Sequence, residues 1–452
     1  MNTFFQSLTE RIQKDMKRLR IPGVTVGVWH KGREQRAGFG VTSVEHPLPV
    51  TPETLFQTGS ISKTFTGTLL MQLVEQGKLD LDEPVRKYMP ELKLSDEDVA
   101  EQVTTRHLLT HVGGWVGDYF NDFGTGADAN ELMVKDIAKL PQIHPLGKIW
   151  SYNNTGFNIA ARLVEVLTGQ PYETAAQDML LDPLGLSMTF FYPSDILFTH
   201  RFVVGHHREG NKMLVSRPWA VGRAGNGIGG VVCDVGDLLA YARFHMGDGK
   251  SAAGKRVIAK KSLAAMRVPQ ISAGGRGEMC ITWFHRNVDG LTLFSHGGWT
   301  HGQQAYLLFI PEKDFALAVL TNADEGGILT SNAVAWALDI YFGAKAKSPK
   351  PISVPAAELK QYVGRYKIGV ECFELKIKGG SLVHQNIPLG GFPTPDVPPG
   401  PAMPPVRLAF YEKDNLVGLD EPYKGALADV IRDEQGRVEF FRIAGRAHKK
   451  IS

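Results

Sequence analysis

Three cysteines in 452 residues are too few and too scattered to build a framework. Cys233, Cys280 and Cys372 form no CxxC or CxxxxC pair, so neither a zinc knuckle nor a disulfide scaffold is indicated, and they read as small buried hydrophobes. No apolar stretch approaches 18 residues, which excludes a membrane-spanning helix. Neither sign of charge prevails. With 50 basic and 47 acidic residues interspersed and a formal net charge of +3, there is no basic stripe for nucleic acid and no acidic tail. The opening stretch, MNTFFQSLTERIQKDMKRLRIPG, has helical spacing but no apolar core segment and no small-residue cleavage site, so a cytoplasmic location is expected. GxSxG is missing, which argues against an α/β-hydrolase. So is HExxH, and the adjoining His206 and His207 therefore read as solvated loop residues; no metal is expected.

What is present is the balance of a soluble globular protein, 43% hydrophobic and 21% charged, in a chain long enough for at least two domains. After a first helix, IPGVTVGVWHKG and REQRAGFGVTSV read as a hairpin about a Lys-Gly turn. Helical patterns follow in GTLLMQLVEQGKL, VTTRHLLTHV, NELMVKDIAKL and GFNIAARLVEVLTG. Strands return late, in EMCITWFH, LTLFSHGG, QQAYLLFIP and FALAVLTNA, and NAVAWALDIYFG closes as a helix. The pattern predicts an α+β domain over residues 1–343, with one antiparallel sheet built from both ends of the segment and a helical insertion between them. Residues 344–358, AKAKSPKPISVPAAE, hold three prolines and read as a linker. From 359 to 452 short β-type runs follow one another closely enough for a small all-β barrel. Within it PLGGFPTPDVPPGPAMPP, residues 388–405, carries eight prolines and must be an exposed loop, with Phe392 and Met403 placed to narrow an entrance.

GSISKTFTG sets Ser60 and Lys63 three positions apart at the start of an apolar helix. On a helix, i and i+3 share a face with Cβ atoms roughly 5 to 6 Å apart, within reach for an amine to meet a hydroxyl. A serine needs such a base to become a nucleophile, and a lysine serves only when burial or a nearby cation lowers its pKa. The pair alone is weak, because Ser-x-x-Lys arises by chance and a capped helix start with a solvated lysine explains it equally well. Two further stretches add weight: SYNNTGFNIAARL places Tyr152 and Asn154 just before a helix, and LFSHGGWTHG ends a strand in His296, Gly297 and Gly298. Gly225, Gly227 and Gly230 satisfy GxGxxG, but SRPWAVGRA before them is no hydrophobic strand; a tight turn is the better reading than a dinucleotide site.

Serine-lysine, then tyrosine-x-asparagine, then a histidine with glycines on a strand resembles the three-part signature of the penicillin-recognising serine hydrolases. The chain resembles the class C β-lactamase group, which includes D-aminopeptidases, DD-peptidases and family VIII esterases. TTRHLLTHVGGW, KLDLDEPVRKYMP and AGNGIGGVVCDVGDLLAYARF extend the resemblance over about residues 10 to 343. It implies a β-lactamase/transpeptidase-like antiparallel sheet flanked by helices, here followed by a lipocalin-like barrel. It also implies a serine hydrolase without cofactor, in which Ser60 forms an acyl-enzyme and Lys63 and Tyr152 share the proton transfers. His296 would tune Tyr152, and the backbone N–H groups of Ser60 and Trp299 would form the oxyanion hole. Asn154 would hold Lys63 and meet the substrate, and Gly297 and Gly298 would let it approach closely. His107 and His111, inside HLLTH, are structural in such proteins and read as core or capping groups. One departure stands out: His-Gly-Gly replaces the Lys-Thr-Gly of the β-lactamases proper, so a cation and a hydroxyl for a substrate carboxylate are gone. The implied substrate is a small amide or peptide, cleaved in the manner of a D-aminopeptidase. The alternatives are a family VIII carboxylesterase with little or no β-lactamase activity, and an inactive scaffold. A homo-oligomer is left open. A chain ending near Lys350 is expected still to hydrolyse a small ester.

Overall fold

The computed structural model describes residues 3–199, 201–219, 221–390 and 398–452. Alternating valines in GVTVGVWH make β1 (Gly23–His30), whose first six residues are buried, and the Lys31–Gly32 turn returns the chain as β2 (Arg33–Gly40). The other six strands of this sheet come from far along the chain: β3 (Ile271–Ser272), β4 (Glu278–Met279), β5 (Phe284–Val288), β6 (Leu291–Thr300), β7 (Gln303–Ile310) and β8 (Phe315–Thr321). Their order is β2-β1-β8-β7-β6-β5-β4-β3, and β1 lies antiparallel to β8 with Val26 opposite Val319. The sheet thus joins the two ends of the segment, as the late return of strand pattern predicted.

Each face of the sheet is covered by helices. α1 (Thr3–Leu19) buries Phe5, Leu8 and Ile12, spaced for one helical face, beside the closing helix Gly326–Phe342. Against the other face lies the helix Val235–Met246, and in the same core are α2 (Ser62–Glu75) and α3 (Asn154–Thr168), the two helices that carry the motifs. α2 is buried all round from Ser62 to Leu73, so its lysine has no water to reach.

Two elements are shorter than their sequence pattern suggests. EMCITWFH breaks into β4 and β5 because Thr282, at φ 67°, turns the chain inward to pack against Gly67 of α2. VTTRHLLTHV keeps only Thr105–Leu109 as helix; Thr104 and His107 cap its start reciprocally, and the chain reverses at His111, at φ 60°.

The C-terminal strands close into an eight-stranded antiparallel barrel in chain order: β9 (Gly364–Ile368), β10 (Glu371–Lys378), β11 (Ser381–Asn386), β12 (Val406–Glu412), β13 (Asn415–Gly418), β14 (Leu427–Arg432), β15 (Val438–Ile443) and β16 (Arg446–Lys450). Tyr366, Phe373, Leu375, Phe410 and Phe441 fill its interior. The proline-rich loop bridges β11 and β12. Phe392 lies outside the described residues, and the Met403 carbonyl accepts from Gln385 Nε2 at 3.1 Å. The barrel meets the other domain through the tight β15–β16 turn, Ala444–Gly445, and through Ile368–Glu371 at the β9–β10 turn.

Candidate active site

A 3-10 turn, Gly59–Ile61, leads directly into α2 and carries Ser60 at the helix mouth. Gly59 has φ +54°, and a Cβ there would lie 2.5 Å from the Trp299 amide nitrogen, so only glycine fits between the turn and β6. The turn is pinned from below: Ser62 Oγ donates to the Gly59 carbonyl at 2.7 Å and accepts from Val231 N–H at 3.0 Å. Lys63 Nζ lies 3.0 Å from Ser60 Oγ and donates to the Ile228 carbonyl at 2.7 Å. The Gly225–Gly230 stretch is therefore a wall of this site. Burial first, and the charge of Arg446 second, hold the Lys63 amine well below its ordinary pKa, with Asp118 pulling the other way.

Tyr152 stands across from this pair, its N–H donating to the Gly445 carbonyl of the barrel turn at 2.9 Å. Its ring stacks on His111 at 4.2 Å between centroids, and the Arg446 guanidinium sits 4.8 Å from the ring centre. Lys63 Nζ is 5.2 Å from that centre. Burial pushes the Tyr152 phenol up to about 12; Ser60 lies near enough to oppose the rise, yet the hydroxyl closes no hydrogen bond. His111 Nδ1 accepts from Asn153 N–H at 3.0 Å, which puts the imidazole proton on Nε2, buried and without a partner. So His111 is a core residue, but the wall it builds is the one behind Tyr152. His296 Nδ1 donates to the Gly297 carbonyl at 2.6 Å, and its ring centroid is 6.3 Å from that of Tyr152. Burial, and then the neighbouring Lys63, press His296 down to about 3, so it is neutral at any ordinary pH.

Asn154 opens α3 behind the cap made by Asn153, whose Oδ1 accepts from Gly156 N–H at 2.7 Å. The Asn154 amide donates to Asp118 Oδ1 at 2.6 Å, which is its hydrogen-bond partner here in place of the expected Lys63. Arg446, first residue of β16, grips the same carboxylate through Nε at 2.9 Å and Nη2 at 3.1 Å. Burial works to raise Asp118, but Arg446 by charge and hydrogen bonding, then Asn154 and Lys63, outweigh it and the net shift is downward. The barrel is fixed here by further bonds: Arg442 Nη1 donates to the Trp150 carbonyl at 3.0 Å, and Ala447 N–H to Ser151 Oγ at 3.1 Å. Asp118 and Arg446 were not singled out from the sequence. The two stand 328 positions apart, and nothing local joins them.

On the sheet side, a Cβ on Gly298 would lie 3.0 Å from the Ser60 amide nitrogen and closer still to the Thr58 carbonyl, so the Gly298–Trp299 and Gly59–Ser60 backbones are in direct contact. The Trp299 side chain is half exposed beside the cleft, its Nε1 donating to Asp324 at 3.0 Å. Among the described residues no cluster of three or more His, Cys, Asp or Glu side chains is placed to hold a metal ion. His206 is buried rather than solvated, because Nδ1 donates to the Asn322 carbonyl at 2.7 Å and Nε2 accepts from Val44 N–H at 3.2 Å.

A serine hydroxyl at a helix mouth, a buried lysine on the next turn and a phenol facing both define an acyl-transfer site of the serine type. The sequence matches the family model for beta-lactamase over residues 8–338, and the chain belongs to that family of serine hydrolases. Penicillin-binding protein 4 of Amycolatopsis lactamdurans is 35% identical over 320 residues, 69% of this chain and 82% of that protein. Among solved structures, SurE with D-Leu superposes along the full length of both chains with a TM-score of 0.79 at 24% identity. The octameric penicillin-binding protein homologue from Pyrococcus abyssi does so with a TM-score of 0.67, also at 24% identity. Both share the whole two-part fold.

Proposed function

We propose that this enzyme cleaves a short peptide or small amide in the manner of a D-aminopeptidase, through an acyl-enzyme on Ser60. The observation that carries the reading is the 3.0 Å approach of a fully buried Lys63 amine to Ser60 Oγ. With its pKa lowered by burial and then by Arg446, Lys63 takes the serine proton as Oγ attacks the carbonyl carbon. Tyr152 stays protonated at neutral pH and so acts as a relay: its hydroxyl proton passes to the leaving nitrogen and is replaced from Lys63. The negative oxygen of the tetrahedral intermediate is received by the Ser60 and Trp299 amides, each such donor contributing about 3 to 4 kcal/mol. Collapse expels the amine, and water then attacks the ester by the reverse proton path.

Closure of the cleft by a barrel supports a small substrate. Asp118, Tyr152 and the barrel residues Ile368 to Glu371 line a small cavity, where Glu371 offers the half-exposed carboxylate that an α-ammonium group would require. SurE, which was solved with D-Leu, supports D configuration. An esterase is the second reading, favoured by a third motif that carries a neutral histidine and asks no charge of the substrate.

The test is a panel of D- and L-aminoacyl amides, p-nitrophenyl esters and nitrocefin, with intact mass to detect an acyl adduct and Ser60→Ala as control. D-aminoacyl amides should lead, nitrocefin should trail the best substrate by at least about a hundredfold, near 3 kcal/mol in the barrier, and Ser60→Ala should form no adduct. Efficient nitrocefin turnover would overturn this ranking, and activity in Ser60→Ala would place the nucleophile elsewhere.

A further inference from the structure

We propose that Glu173, buried behind the short helix Asn226–Gly229, is a positioning residue for the proton transfer at Ser60: through Asn226 and Arg223 it sets the place of the Ile228 carbonyl, and that carbonyl holds the Lys63 amine. This rests on the acyl-transfer reading above and adds to it the source of the lysine's alignment.

Lys63 Nζ meets Ser60 Oγ at 3.0 Å and the Ile228 carbonyl at 2.7 Å, so the carbonyl is the tighter of the two contacts. It belongs to a segment with little stiffness of its own. Four of the six residues from 225 to 230 are glycine, and a helix of four residues is too short to stand by its own hydrogen bonds. Its place must therefore be imposed from outside. Neutral bonds contribute: Thr66 Oγ1 donates to the Gly227 carbonyl at 2.6 Å, and Asn158 Nδ2 donates to the Ala224 carbonyl at 2.7 Å. Because Thr66 gives its one hydroxyl proton to that carbonyl, the Tyr172 hydroxyl, 2.7 Å away, donates to Thr66.

The charged anchor is the next residue along the helix Tyr172–Ala176. Glu173 Oε1 accepts from Asn226 Nδ2 at 2.7 Å, and its two oxygens accept from Arg223 Nε at 3.3 Å and Arg223 Nη2 at 3.1 Å. One carboxylate thus grips the first residue of the short helix and the first residue of the turn before it, Arg223–Gly225. Arg223 goes on to donate from Nη1 to the Thr125 carbonyl at 2.8 Å and from Nη2 to the Tyr192 hydroxyl at 3.0 Å, which ties the wall to its neighbours. The Glu173 side chain is 4% exposed and that of Arg223 16%, so water scarcely competes for these bonds. Hydrogen bonds with an ionised partner are roughly twice as strong as neutral ones. Glu173 is therefore a firmer restraint on this glycine-rich segment than Thr66 or Asn158. Small losses of alignment matter at Lys63, because a misplacement of about 1 Å can slow a reaction on the order of a hundredfold.

The experiment measures the acylation rate per titrated Ser60, from the p-nitrophenol burst with p-nitrophenyl acetate, in the full-length enzyme and its variants. Glu173→Leu with Arg223→Met removes the anchor and strands no buried charge, a replacement that is often neutral or stabilising for a fold. This variant should keep its melting temperature while acylation slows by about tenfold or more. Glu173→Gln with Arg223→Met returns an acceptor to Asn226 alone and should recover most of the rate. Asn226→Ala leaves both charges in place and should slow acylation as the first variant does. Crystal structures of the slow variants should show Lys63 Nζ withdrawn from the Ile228 carbonyl or from Ser60 Oγ. The proposal is overturned if the first variant is folded and acylates at the parent rate, if glutamine recovers nothing over leucine, or if Lys63 keeps both contacts in the slow variants. Should the first variant unfold, Asn226→Ala decides: a parent rate overturns the proposal, and a slow rate at an unchanged melting temperature supports it. Failure of the acyl-transfer reading looks different, because the parent enzyme itself would then give no burst and no adduct. In that event the position of Lys63 in the variant crystal structures upholds or overturns the anchor by itself.

Discussion

Lys63 can act on Ser60 only while it is unprotonated, so its pKa sets the acidic limb of the rate. Arg446 presses that pKa down and Asp118 pulls it up, both from within the site. Replacing Arg446 with methionine removes the downward push and leaves Asp118 unopposed. The Lys63 pKa must then rise, and the acidic limb of kcat/KM should move to higher pH. Removing both charges, in Arg446→Met with Asp118→Asn, should bring the limb back toward its original position. A limb that stays put in the single variant would show that Arg446 has no electrostatic hold on Lys63. Because the pair is largely buried, the single variant should also lose about 3 kcal/mol of stability, the usual cost of stranding one buried charge. Tyr152→Phe removes a hydroxyl that makes no hydrogen bond in the resting site, so stability should hardly change while kcat on amides falls by about a hundredfold or more. An unchanged kcat would take the phenol out of the proton path.

At the scale of elements, what the sequence made legible was local. Val24, Val26 and Val28 alternate as a buried strand must, and Phe5, Leu8 and Ile12 repeat as a packed helix must, so both elements and their buried faces could be read directly. The three motifs likewise announced Ser60, Lys63, Tyr152 and His296, because short spacing is itself the signal. Periodicity states which face is covered and not by what. EMCITWFH reads as one strand, but the need to seat Thr282 against Gly67 breaks it. RVEFFRIA reads as a short β-type run, yet no local feature reveals that the turn after it lies against Tyr152 and Trp150, or that Arg446 finds Asp118. Much of the proline-rich loop lies outside the described residues, and among the described residues the barrel meets the cleft through the Ala444–Gly445 turn and the Ile368–Glu371 stretch.

On the scale of the whole molecule, the barrel is a structural part of the site. For a chain ending near Lys350 the barrel's contacts argue for slow hydrolysis of small esters, against the expectation that this activity is kept. Such a chain keeps Ser60 and Lys63 but loses Arg446, Arg442 and the Gly445 carbonyl, and it uncovers Trp150 and Tyr152. If soluble, it should hydrolyse p-nitrophenyl acetate at least about a hundredfold more slowly than the full chain. Retention of a tenth of the activity or more would reduce the barrel to a cover. No helix of the described residues is long and apolar enough to cross a membrane, and the octameric assembly reported for the Pyrococcus abyssi homologue makes the size of the native particle worth measuring alongside.

The position of the β15–β16 turn in the chain has a consequence for biosynthesis. A ribosome adding on the order of 5 to 20 residues per second releases the Ser60 segment early and the Ala444–Arg446 segment tens of seconds later. Throughout that interval Ser60 and Lys63 lack the guanidinium that, after burial, lowers the lysine pKa, and the nascent chain should acylate slowly. Translation that stops short of the last strand, or a protease that trims it, should leave a protein that acylates slowly. A full catalytic rate would then report that the chain has been made and folded to β16, a signal written into the order of the residues.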